Sequence, residues 1–205
     1  MTAVAGVLLA GGQARRMGGG DKCLRELGGM TLLERTIERV KPQVKALALN
    51  ANGDPARFAA YGLPVIPDVI EGFAGPLAGV LTGLEWVRAN APNCPWMLSA
   101  PTDAPFLPED LVATMKDAVN ELFADMACAM SNGRSHPVVG LWPVRLAGAL
   151  RKALIEEDIR KIDVWTARYR LAEVEFPADP VDPFFNANRP EDLAEAERLL
   201  EEAAG

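Results

Sequence analysis

Cysteine is scarce in this 205-residue chain, with three copies, and histidine occurs once. Cys23, Cys94 and Cys128 are far apart and odd in number, which excludes a disulfide framework and any closely spaced cysteine metal site. Positive charge is also in short supply: 21 Lys and Arg against 28 Asp and Glu leave a net charge of −7. That balance argues against nonspecific binding to nucleic acid or to an anionic membrane surface. No apolar stretch approaches the roughly 20 residues of a membrane span. The apolar start has neither the basic flank nor the cleavage site of a secretory leader, so a cytoplasmic location is expected.

What remains is the composition of an ordinary globular protein, long enough to bury a substantial core in one α/β domain over residues 1–205. Short apolar runs alternate with helical patterns. Strands are expected at 4–10, 44–49, 64–68, 96–100, 125–130, 138–142 and 171–176. Helical faces are carried by Leu32, Leu33, Ile37 and Val40, stopped by Pro42, and by Leu77, Val80, Leu81 and Leu84. Further faces fall on Leu111, Met115, Ala118 and Leu122, more weakly on 146–155, and on the segment after Pro190. Residues 131–136 read as a polar turn. Such alternation implies a mostly parallel sheet covered on both faces, with ligands beyond the carboxyl ends of its strands. Gly11, Asn50, Asp68 and Asp103 each follow a strand and should meet in one crevice.

The first strand runs into Gly11-Gly12-Gln13-Ala14-Arg15-Arg16-Met17-Gly18-Gly19-Gly20-Asp21-Lys22. Glycine lets backbone N–H groups approach an anion, and Arg and Lys supply charge suited to phosphate oxygens. A Walker A loop needs Gly-Lys followed by Ser or Thr. Here Asp21 precedes Lys22 and Cys23 follows, and no G-x-G-x-x-G fingerprint is present. A basic, glycine-rich turn on an acidic chain therefore reads as a local phosphate cradle.

Asp103 follows a strand and lies between Pro101 and Pro105. A carboxylate in so stiff a turn can ligate Mg²⁺, or simply form an Asx turn or cap. Asp68 also ends a strand, and Asn50 has donors and an acceptor suited to a base or ribose edge. Gly75-Pro76-Leu77-Ala78-Gly79 opens a helix and could let a base pack against backbone, although by itself the run reads first as plain helix entry. His136 reads as a packed loop histidine or a substrate-positioning group. Asn186 and Asn188 either contact substrate or cap the terminal helix.

Leu9-Ala10-Gly11-Gly12, then Arg16-Met17-Gly18-Gly19, then Asp21-Lys22 resembles the signature of the molybdenum cofactor guanylyltransferases. Asn50-Ala51-Asn52, Asp68, Gly75 to Gly79, Asp103, His136-Pro137 and Asn186-Ala187-Asn188 are similar to the later motifs of that family in order, across nearly the whole chain. The resemblance implies a three-layer Rossmann-like nucleotidyltransferase fold with a mostly parallel central sheet. It implies GMP transfer from GTP to the terminal phosphate of molybdopterin, with Mg²⁺ on Asp103 and Arg16, Lys22 and Asp103 as the catalytic set. Leu9, Ala10, Gly11, Gly12, Lys22, Asn50, Asp68, Gly75 and Gly79 would hold GTP, the first four by backbone amides; His136, Asn186 and Asn188 would face the pterin. Arg15 competes with Arg16 for the phosphates. Partners beyond GTP and molybdopterin would be cofactor-insertion proteins and acceptor molybdoenzymes. A cytidylyl- or uridylyltransferase would share the loop and the aspartate, and a non-catalytic nucleotide carrier would share the fold.

Overall fold

Leu9 sits in a single row of paired residues that crosses the sheet from Ile66 through Asn50 and Leu9 to Pro101. The computed structural model that shows this describes residues 2–10, 21–70, 72, 75–187 and 189–204. In chain order the elements are β1 (Val4–Leu9), β2 (Glu26–Leu27), β3 (Met30–Thr31), α1 (Leu32–Val40), β4 (Leu47–Asn50), β5 (Val65–Ile66) and α2 (Pro76–Asn90). They continue with β6 (Trp96–Pro101), α3 (Leu111–Glu121), β7 (Met126–Ser131), β8 (Arg134–Pro143), α4 (Ala147–Ile155), α5 (Ile162–Thr166), β9 (Leu171–Glu175) and α6 (Pro190–Ala204).

The main sheet has the order β5-β4-β1-β6-β8-β7-β9. Only β8 runs against its neighbours, so the expected mostly parallel sheet is present. Alternation along β1 divides the core. Val4 and Leu8 pack with α1 and α3 on one face, while Ala5 and Val7 pack with α2, α4 and α5 on the other. Each fully buried Leu or Val adds about 1.5–3 kcal/mol to this three-layer arrangement. Helix α1 starts on a capping box, in which Glu34 N–H donates to Thr31 Oγ1 and Thr31 N–H donates to Glu34 Oε2. The helix ends at Val40, as Pro42 led us to expect.

Helix α2 lies unusually close to the sheet. A Cβ on Gly83 would stand 2.6 Å from Met97 Sδ and 3.0 Å from Val7, and one on Gly79 would stand 2.6 Å from Asn50 Oδ1. The two glycines are one helical turn apart, and this close approach is what they provide.

Some expectations need correction. Residues 131–136 are not a six-residue turn: the reversal is Asn132-Gly133, at φ 50° and 68°, a two-residue hairpin loop that lets β8 begin at Arg134. His136 is therefore a strand residue, not a loop residue. Leu122 is not part of the α3 face; it caps that helix and is exposed, as is Phe123 at φ 49°. The run 44–49 becomes regular only at Leu47, although Lys45 N–H already donates to Val4 O.

Candidate active site

The carboxyl ends of β1, β4, β5 and β6 gather the residues on which the motifs fall. At β1, Ala10 N–H donates to Asn50 O at 2.9 Å, and Thr102 Oγ1 donates to Leu9 O at 3.4 Å. The Ala10 amide is thus engaged in the sheet and is not a phosphate donor, which corrects that part of the expectation. Gly11, Gly12, Arg15, Arg16 and Asn188 lie outside the described residues.

Beyond β4 and β5, Asp68 is held on three sides. Asn50 Nδ2 donates to Asp68 Oδ1 at 2.9 Å and to Ile66 O at 3.1 Å, so both of its amide hydrogens are engaged. Asn52 Nδ2 donates to Asp68 Oδ2 at 2.8 Å, and Asp68 N–H returns a bond to Asn52 Oδ1 at 2.9 Å. Asn50 is buried beneath Gly79, which leaves the half-buried Asp68 as the outward-facing member. Gly75 caps α2 at φ 150°, which side-chain-bearing residues rarely adopt.

At the end of β6, Lys22 Nζ lies 2.5 Å from Asp103 Oδ2. Lys22 comes from a short 3-10 helix, Lys22–Leu24, whose Cys23 packs in the core against the Thr102 hydroxyl. Burial and the Asp21 carboxylate push the Cys23 thiol up to about 11. The Lys22 side chain is only 8% exposed, so its charge needs the partner it has. Asp103 Oδ1 is buried and accepts no hydrogen bond among the described residues. A carboxylate oxygen left so is suited to a cation. Among the described residues no group of three or more His, Cys, Asp or Glu could hold a metal. A Mg²⁺ ion at Asp103 would take this carboxylate and complete its shell with phosphate oxygens and water.

Because β8 runs antiparallel, its start returns His136 to this same rim. His136 Nε2 lies 2.7 Å from Ser131 Oγ, and Ser131 Oγ donates to Asp182 Oδ1 at 2.8 Å. The serine proton goes to the carboxylate, so Nε2 carries the hydrogen of the other bond. With serine in the middle this is no nucleophilic triad. Burial lowers the His136 pKa against the opposing pull of Asp182. The His136 ring packs 4.8 Å from Phe184, whose N–H donates to Asp182 Oδ1. Three residues on, Ala187 N–H donates to Asp103 O at 3.2 Å. Residues 182–187 thus run from His136 to Asp103 and present the exposed Asn186 between them. Ser131 and Asp182 had no signal of their own in the sequence, and Asn52 stood out only as part of the Asn50-Ala51-Asn52 run; pairing across the fold shows what each one holds.

A shielded lysine paired to an aspartate that keeps one carboxylate oxygen unbonded among the described residues, at the carboxyl end of a mostly parallel sheet with one antiparallel strand, is the arrangement of a nucleotidyltransferase. The profile of the MobA-like NTP transferase domain matches residues 6–170. A protein of Rhodopseudomonas palustris (strain BisB5), named molybdenum cofactor guanylyltransferase, is 63% identical over 193 residues, covering 94% of this chain and 92% of its own length. This chain belongs to the molybdenum cofactor guanylyltransferase family.

Among solved structures, molybdopterin-guanine dinucleotide biosynthesis protein A of Archaeoglobus fulgidus is similar at a TM-score of 0.74 and 22% identity, covering 97% of this chain and 99% of its own. The 4-diphosphocytidyl-2C-methyl-D-erythritol synthase of Anaerococcus prevotii reaches the same TM-score at 13% identity, covering 98% and 96%. Fold alone therefore does not select a base. Among the described residues no helix is long and apolar enough to cross a membrane.

Proposed function

We propose that residues 1–205 form one nucleotidyltransferase domain that moves GMP from GTP to the terminal phosphate of molybdopterin and releases pyrophosphate. The observation that carries this reading is the Lys22–Asp103 pair with its second carboxylate oxygen buried and open to a cation. Identity of 63% to a relative of that name supports GTP over CTP.

Asp103 is the residue that would hold Mg²⁺, and the bound ion would draw off negative charge from the phosphate oxygens. Lys22 supplies an ammonium beside the same phosphates. Arg16 is assigned to the departing pyrophosphate on its motif position. Asp68, aligned by Asn50 and Asn52, faces the nucleoside, with Gly75 and Gly79 opening α2 beside it. An oxygen of the pterin phosphate attacks the α-phosphorus of GTP as the bond to the β-phosphate bridging oxygen breaks. That nucleophile is largely dianionic near neutral pH, because its second pKa is about 6, so no general base is needed. His136, its Nε2 engaged by Ser131, and Asn186 serve the pterin side by position, joined there by Asn188. The work of the site is alignment and charge stabilisation. The chain would work in the cytoplasm, where GTP is at hand, and its product would pass to insertion proteins and acceptor molybdoenzymes. The test is pyrophosphate release in step with GMP joined to molybdopterin; binding of GTP without turnover would make the chain a carrier.

A further inference from the structure

Arg57 lies on the 3-10 helix Pro55–Tyr61, outside every motif considered above. Its guanidinium reaches in several directions. Nη2 donates to Asn52 O at 2.5 Å and Nη1 to Asp54 O at 2.6 Å. Nε lies 2.5 Å from Asp21 Oδ2, with its proton not aimed at the carboxylate, so this contact is an ion pair rather than a hydrogen bond. The guanidinium carbon also sits 4.5 Å from the centroid of the buried Phe58 ring. The Arg57 and Asp21 side chains are 28% and 25% exposed, so the pair is partly shielded from solvent. Room for the arginine is built in: Gly53 has φ 86°, and a Cβ there would stand 3.1 Å from Arg57 Nη1.

The partners lie on opposite halves of the nucleotide site. Asp21 immediately precedes Lys22, and Asn52 grips Asp68 from two atoms. We propose that Arg57 is a positioning residue that joins these halves, tying Asp21 and so Lys22 to Asn52 and so Asp68. It also cancels the Asp21 carboxylate. The charges of Asp21, Lys22, Arg57 and Asp103 then balance, whereas without Arg57 the cluster would be net negative where a polyanion has to bind. This inference rests on the nucleotide reading above. Lysine would not replace arginine here, because a single ammonium cannot meet a carboxylate and two carbonyl groups from one planar fork.

The test uses the full chain and calorimetric affinities for GTP and for pyrophosphate with Mg²⁺, in wild type, Arg57→Gln, Arg57→Lys, Lys22→Ala and the Arg57→Gln/Lys22→Ala double variant. Arg57→Gln is expected to weaken both ligands about tenfold, the scale of one charge-assisted contact. In the Lys22→Ala background the same change should cost pyrophosphate less than about threefold, because that arm passes through Lys22, while the GTP cost carried by Asn52 and Asp68 remains. Arg57→Lys, which keeps the charge against Asp21, should restore pyrophosphate affinity while GTP stays weaker. An Arg57→Gln protein that melts earlier yet binds both ligands within about twofold of wild type would overturn the proposal and leave a purely structural arginine. Should Arg57→Gln not fold, Arg57→Lys decides alone, since wild-type GTP affinity there contradicts the proposal. A wild-type chain that binds no GTP would instead sink the nucleotide reading, and Arg57 with it.

Discussion

Lys22 and Asp103 are 81 positions apart in sequence, and their side chains meet at 2.5 Å across the carboxyl end of the sheet. Neither is a comfortable occupant of a shielded site without the other. Asp103→Asn should therefore abolish Mg²⁺-dependent GMP transfer and also lower stability, since it removes the counter-charge that Asp103 gives a nearly buried ammonium. Lys22→Ala should lower transfer by about 10² or more while circular dichroism stays native. Near-normal turnover in either variant would contradict these roles.

Gly79 and Gly148 are both helical glycines, yet alanine should act on them in opposite directions. At Gly79 the new methyl meets Asn50 Oδ1 at 2.6 Å, and Asn50 cannot move without giving up Asp68 and Ile66 O. Overpacking of about 1–3 kcal/mol outweighs the gain of about 1 kcal/mol in helix propensity, so Gly79→Ala should melt earlier and bind GTP more weakly. Gly148 faces open space, so Gly148→Ala should gain about 0.5–1 kcal/mol. Paired thermal melts check both signs.

His136 should make stability depend on pH. Burial lowers its folded-state pKa below the ordinary 6.5, with Asp182 and Glu175 pulling the other way and Arg134 adding to the fall. As pH drops through the unfolded-state value, the unfolded chain takes up the proton first. Stability therefore falls, and the loss is complete below the folded-state pKa. Chemical denaturation at about pH 7.5 and about pH 5.5 should show a smaller difference for His136→Gln than for wild type.

The three cysteines are free and buried. Burial pushes Cys128 up to about 12, Cys23 stands at about 11, and Cys94 is raised by the same cause. A disulfide reagent at about pH 8 should leave all three unreacted in the folded protein and label them on unfolding. Rapid labelling of Cys23 in the native state would contradict its placement beneath Thr102.

Much of the architecture was legible because strand and helix periods differ and because strand ends collect ligands. The short elements were not. Asn132-Gly133 is a strong hairpin signal, but the polar residues that follow hide the start of β8, and with it the strand position of His136. Leu122 matches the helical period of α3, yet it is exposed among the described residues. In the site, Lys22, Asp68 and Asp103 stood out through motif and strand-end position. Asn52, Arg57, Ser131 and Asp182 act through partners 16 to 51 positions away or through backbone carbonyls, and no local pattern records such pairings.

The glycine-rich loop and Asp103 would suit several nucleotides, so choice of base is the property to measure. The most direct measurement incubates the purified chain with molybdopterin, Mg²⁺ and equal GTP, CTP or UTP, and follows pyrophosphate together with the pterin–nucleotide product. Product is expected with GTP and is lost in Asp103→Asn. Equal product from CTP, or GTP bound without pyrophosphate release, would contradict it.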